Sequence, residues 1–158
     1  MKQVVILVPD CEVNFNSVAG AYEILSRANS FWQKSGKASR LAVQVAGFVR
    51  EKKSDGDYFT IHPTPLKNIK KADLIIIPSV LGDYRYVVGN NNELLSWIIR
   101  QYKGGAEVAS MCSGAFLLAA TGLVEGKSCS THWNAAARSV NEDERSIRRS
   151  TRSIVRVR

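Results

Sequence analysis

The chain is 158 residues long, 45% hydrophobic and 23% charged, with a net charge of +8. A chain of this length buries about two-thirds of its unfolded surface, enough for a single core. No apolar run approaches the roughly 20 residues that span a bilayer, and the run at residues 4–8 is too short for a signal-peptide core. Three cysteines without close pair spacing argue against a disulfide framework and a tetrahedral metal site, and point to a reducing, cytoplasmic setting. Neither a metal nor a cofactor is expected.

In chain order, residues 4–8 (Val-Val-Ile-Leu-Val) read as a buried strand. Residues 17–29 place Val18, Ala21, Tyr22, Leu25 and Ala28 at helical spacing, with Asn16 or Ser17 as the cap. Residues 41–49 alternate as a second strand. Asp55-Gly56-Asp57 is a turn between that strand and residues 58–61, which predicts a β-ribbon excursion rather than another helix. Residues 72–78 form the most hydrophobic run, fitting a central parallel strand covered on both faces. Leu94, Leu95, Ile98 and Ile99 mark an amphipathic helix over 94–102. A strand at 106–110, a tight turn and a small-residue helix closed by Gly122 follow. The sum is an α/β fold: βα units around a mostly parallel sheet.

Cys112 stands at the junction of that last strand and helix. A thiol on such a turn is lifted off the sheet edge beside the first N–H groups of the helix, an environment that favours the thiolate. His132, in Ser-Thr-His-Trp, completes the minimum pair for thiol chemistry. The plain alternative is a small buried Cys and a packing His. In a parallel sheet, ligands bind beyond the carboxyl ends of the strands. The loops at 9–16 and 79–84, Cys112 with Ser113, and His132 are therefore expected to line one pocket.

Within that pocket, the N–H groups of Gly82 and Ser113 are candidates for an anion or oxyanion site, against Gly82 simply making a turn. Glu12 and Asp83 are candidate carboxylates, against a reading as solvated loop acids. Tyr84, Tyr86 and Trp133 form a candidate aromatic wall, against ordinary packing. His62 reads as a surface residue of the ribbon.

The charge is unevenly spread. Residues 138–158 hold seven Arg, no Lys and three acids, whereas the body before them mixes Lys and Arg with eleven acids and is only mildly basic. The chain therefore divides into a domain over 1–137 and an Arg-rich tail over 138–158. Either the tail grips phosphates, or it is a solvated, disordered end poor in large apolar residues; the second is the expectation.

Several segments together resemble the ThiJ/PfpI superfamily, and more closely the N-terminal sensor domain of AraC-type transcription regulators. They are Val4–Pro9, Val18-Ala19-Gly20-Ala21-Tyr22-Glu23-Ile24-Leu25, Asp73–Pro78, Ala109–Ala119 with Thr121-Gly122-Leu123, and Ser130-Thr131-His132-Trp133. The resemblance implies a flavodoxin-like three-layer sandwich related to class I glutamine amidotransferases, usually dimeric. In its enzymes the elbow Cys is nucleophile or redox centre, an acid after the first strand holds it as thiolate, and the His assists; Cys112 and His132 match. The place of the acid in regulator-like sequences falls on Ser17 here.

Beyond residues 133–136 the family continues with further helices and strands, and its regulators add a DNA-binding helix-turn-helix domain. Here the composition changes at Arg138, which is read as a truncation or reading-frame change, so that 1–137 is C-terminally incomplete. The expected function is a small-metabolite sensor of an AraC-type regulator, a homodimer reaching DNA only through a domain absent from this chain. Its ligand site is drawn from Glu12, Ser17, Gly82, Asp83, Ser113 and Trp133. The alternative is a Cys-dependent enzyme (a hydrolase, hydratase or glyoxalase) using Cys112 and His132.

Overall fold

The computed structural model describes residues 1–38, 40–125, 129–131, 147–149 and 154–157. Its elements run β1 (Lys2–Val8), α1 (Phe15–Lys34), β2 (Leu41–Gly47), β3 (Lys52–Lys53), β4 (Thr60–Ile61), β5 (Thr64–Pro65) and β6 (Leu74–Ile77). They continue with α2 (Tyr84–Gly89), α3 (Asn92–Lys103), β7 (Glu107–Met111), α4 (Ala115–Ala120), β8 (Cys129–Thr131), β9 (Ile147–Arg149) and β10 (Ile154–Val157). The main sheet has the order β10-β7-β6-β1-β2-β5. The five strands β7, β6, β1, β2 and β5 are mutually parallel, and β10 pairs antiparallel with β7 at the edge. The expected α/β sandwich with a mostly parallel sheet is therefore what forms.

The apolar runs are continuous because both sheet faces are covered. On one face Ile6 and Val8 pack with Val18 of α1 and with Val43, Val45 and Ile76. On the other, Val5, Leu7, Ile75, Ile77 and Val108 meet Leu94, Leu95, Trp97 and Ile98 of α3 and Leu117 and Leu118 of α4. Alternate residues of each strand serve opposite layers, as the two-residue side-chain period requires. Each fully buried Leu or Ile is worth about 1.5–3 kcal/mol, and Ile6, Leu7, Ile75, Ile77, Leu94, Ile98, Leu117 and Leu118 all reach that state.

The ribbon also forms. β3 pairs antiparallel with β4 around a 3₁₀ turn at Asp55–Asp57, where Gly56 adopts φ +72°. Three local readings are corrected. The α1 cap is Asn14, whose side chain accepts from the Asn16 N–H, and the helix runs longer than its apolar spacing indicates. The second strand stops at Gly47, where a Cβ would stand 2.6 Å from the Val8 carbonyl oxygen. The expected loop over 79–84 gives way at Tyr84 to a helix, α2, because Asp83 caps that turn.

Chain order fixes where the strands can host a site. From β1 the chain steps through α1 to β2 and on to β5, then returns to place β6 on the other flank of β1. The reversal of strand order lies between β1 and β6, where open parallel sheets leave a crevice beyond their carboxyl ends.

Candidate functional site

Two loops leave the sheet at that reversal, residues 9–14 from β1 and 78–83 from β6, and they are laced together. Val13 and Val80 form an antiparallel bridge, the Asn14 N–H donates to Ser79 O at 2.9 Å, and the Leu81 N–H donates to Glu12 O at 2.8 Å. From behind, Asn91 holds the first loop: its Oδ1 accepts from the Asp10 N–H at 2.8 Å and its Nδ2 donates to Val87 O at 2.8 Å.

Beside them β7 ends at Met111 and Cys112 takes φ +50°, entering a 3₁₀ turn over Cys112–Gly114 that runs into α4. A left-handed non-glycine residue is uncommon, persists only where its surroundings over-determine it, and clusters at functional turns. The thiol is half-buried. Gly114 is required by close approach: a Cβ there would collide with the Pro78 carbonyl oxygen and lie 2.9 Å from that of Ile77.

A ladder of three serines binds the elbow to the two loops. Ser17 Oγ donates to Asn14 O at 2.6 Å and accepts from the Ser79 N–H at 3.1 Å. Ser113 Oγ donates to Val80 O at 2.6 Å, accepts from the Val80 N–H at 3.0 Å, and lies 2.9 Å from Ser79 Oγ. Since the one Ser113 hydroxyl proton goes to Val80, Ser79 is the donor between the two serines. Ser79 and Ser113 are both buried. The side chains of Ser17 and Ser113, two of the expected ligand groups, thus have their hydroxyl protons committed to the scaffold.

The remaining candidates divide. Glu12 is exposed at the loop edge, with its backbone carbonyl in the lacing. Gly82 is exposed at φ +98° with open space around its Cα. Asp83 accepts from the Arg85 and Tyr86 N–H groups at 2.8 and 3.3 Å and so caps α2. Tyr84 stacks on Phe116 of α4 with centroids 3.9 Å apart, whereas Tyr86 is exposed. His62 is exposed just past the ribbon. His132 and Trp133 lie outside the described residues; the strand before them, β8, runs against the Cys112–Gly114 turn and α4.

Two residues escaped the sequence reading. Ser79 and Asn91 add side-chain bonds to the loop fixation, and neither belongs to a recognisable motif. Cys11 is a second thiol in this region, buried in the core under the first loop. Burial pushes it up to about 11, with Lys52 opposing and Asp10 and Glu12 adding to the rise. Among the described residues no group of His, Cys, Asp and Glu is placed to hold a metal, and no helix is long and apolar enough to cross a membrane.

The DJ-1/PfpI family profile matches residues 18–154 of this sequence. The chain belongs to the DJ-1/PfpI family. Among solved structures, it is similar to a candidate transcriptional regulator from Vibrio parahaemolyticus, at 22% identity and TM-score 0.78, over 96% of this chain and 77% of that one. It is also similar to an AraC family transcriptional regulator from Pseudomonas putida, at 19% identity and TM-score 0.73, with the same coverage. A DJ-1 superfamily protein from Agrobacterium tumefaciens matches at 17% identity and TM-score 0.64, over 95% of this chain and 75% of that one. An uncharacterized protein encoded in the cpoL 5' region of Streptomyces lividans is 57% identical over 30 residues, which span 19% of this chain and 21% of that protein.

Proposed function

We propose that this DJ-1/PfpI domain is the small-metabolite sensor of an AraC-type transcription regulator, cytoplasmic and homodimeric, reaching DNA through a helix-turn-helix domain outside these 158 residues. The observation that carries the reading is the state of position 17. Regulator-like members of the family are expected to place the acid there; this chain has instead a serine whose hydroxyl is spent between Asn14 and Ser79. Position 17 thus supplies no carboxylate to assist proton handling at Cys112, and in this reading the elbow serves as one wall of a binding crevice. Likeness to the Vibrio and Pseudomonas proteins, both named as transcriptional regulators, supports the same choice. In this reading Glu12 and Asp83 face the crevice mouth, the Gly82 N–H approaches the ligand, and Ser17 and Ser113 shape the floor; Trp133 is kept as a ligand-contact candidate on the sequence alone. The 138–158 segment is Arg-rich, but it is not wholly a tail: its β10 (Ile154–Val157) pairs with β7 at the edge of the main sheet, with Val157 in the core.

The test is a thermal-shift screen of small metabolites, amino acids and quaternary ammonium compounds included, on wild type and Cys112→Ala. A ligand present at about 100 times its Kd stabilises by about 2.7 kcal/mol, a rise of roughly 5–11 °C for a domain of this size. The sensor reading expects such a shift without turnover, reduced in Cys112→Ala. Cys112-dependent consumption of a glyoxal, ester or amide would instead establish the enzyme, with His132 as its assisting base.

A further inference from the structure

We propose that Ser113 is the positioning residue of the elbow: its hydroxyl, pinned to Val80 and Ser79, holds Cys112 in the left-handed conformation that presents its thiol to the crevice. Two restraints act on the residues after Cys112, and both anchor on the end of β6. Ser113 is tied through its side chain to the N–H and C=O of Val80 and to Ser79 Oγ, at 3.0, 2.6 and 2.9 Å. Gly114 is seated against the carbonyls of Ile77 and Pro78, a spacing that no Cβ tolerates.

On the other side Met111 is held in β7, whose register against β6 is set by Ile77 opposite Ser110. Cys112 is the single link between two anchored pieces of chain, so it alone absorbs the change of direction, and φ +50° is the result. A left-handed L-residue is disfavoured and relaxes once the restraints slacken. Of the two restraints, Gly114 is steric and cannot be loosened by removing atoms. The Ser113 hydroxyl can be removed singly. Ser79 carries the clamp onward, since its own N–H is bound by Ser17; the elbow is therefore fixed to the start of α1 as well as to β6.

The inference rests on the elbow serving the crevice of the proposed sensor, and its test reads Cys112 itself, so it can fail while ligand sensing stands. Native protein is alkylated with iodoacetamide from pH 6 to 10, and the labelled fraction of Cys112 is followed by peptide mass spectrometry in wild type, Ser113→Ala, Ser113→Thr and Ser79→Ala. Loss of a clamp worth one buried hydrogen bond or more corresponds to at least about fivefold. Ser113→Ala is expected to slow Cys112 by that factor across the profile. Ser113→Thr, which keeps the hydroxyl, returns to within about twofold of wild type, and Ser79→Ala shows a smaller change in the same direction. A Ser113→Ala profile superimposable on wild type, with only thermal stability lowered, overturns the proposal. Should Ser113→Ala not fold, Ser79→Ala decides by the same criterion.

Discussion

Replacing Asn91 with alanine removes the post behind the β1 loop, and the structure sets the size of the effect. Asn91 is 3% exposed. Its side chain satisfies the Asp10 N–H and the Val87 carbonyl, each at 2.8 Å, with a weaker third contact to Asp10 O at 3.4 Å. Truncation leaves the buried Val87 carbonyl and the part-buried Asp10 N–H without these partners. At about 1–3 kcal/mol for each orphaned buried group, with the loop giving way at the more exposed end, the expected loss is about 3 kcal/mol. That is a fall of roughly 6–12 °C in melting temperature.

Asn91→Leu restores volume but not hydrogen bonding, so it should be as damaging as alanine. Asn91→Asp keeps an acceptor for the Asp10 N–H while setting a carboxylate against Val87 O, and should fall between wild type and alanine. Thermal and urea unfolding measure the stabilities, and hydrogen exchange at the Asp10 amide should accelerate in step. An Asn91→Ala protein within about 0.5 kcal/mol of wild type, or an Asn91→Leu protein restored to it, would refute the idea that these two bonds hold the loop.

The elbow predicts a contrast between two glycines: Gly114→Ala should cost about 3 kcal/mol through its collision with the Pro78 and Ile77 carbonyls. Gly20→Ala, inside α1 with open space around it, should gain about 0.5–1 kcal/mol, both read from urea midpoints. Cys11 makes stability fall on the alkaline side. Its folded value of about 11 lies above the ordinary 9.0, so the unfolded chain loses the proton first. Stability then drops as pH rises from about 9 to about 11, by up to roughly 2–3 kcal/mol, and Cys11→Ala should flatten that slope in a pH series of unfolding curves. Ser110 is 1% exposed with a hydroxyl that has no partner among the described residues. Ser110→Ala should therefore raise stability by about 1 kcal/mol, and a loss of stability in calorimetry would show that a partner had been removed.

Where side-chain period and burial coincide, the fold is legible in the chain. The apolar runs at 4–8 and 72–78 are strands β1 and β6, the ribbon turn at Asp55–Asp57 forms, and the 94–102 helix extends by only a few residues. What misled was local hydrogen bonding. Asn16 and Ser17 looked like caps, but Asn14, two and three residues earlier, holds that place, directly after the antiparallel bridge at Val13. Asp83 looked like a ligand carboxylate and caps a helix that has only one turn and a half of sequence to announce it.

Composition and order were enough to determine the layered α/β sheet, the elbow at Cys112 and the end of the sheet where the loops gather. Those features depend on hydrophobic period and on the few residues that allow a sharp turn, both of which are written along the chain. The serine ladder, the Asn91 post and the left-handed Cys112 were decided only in three dimensions. Each joins residues tens of positions apart, as Ser17 to Ser79 and Ser79 to Ser113. A hydroxyl has no preferred partner until strand order brings one within about 3 Å of it.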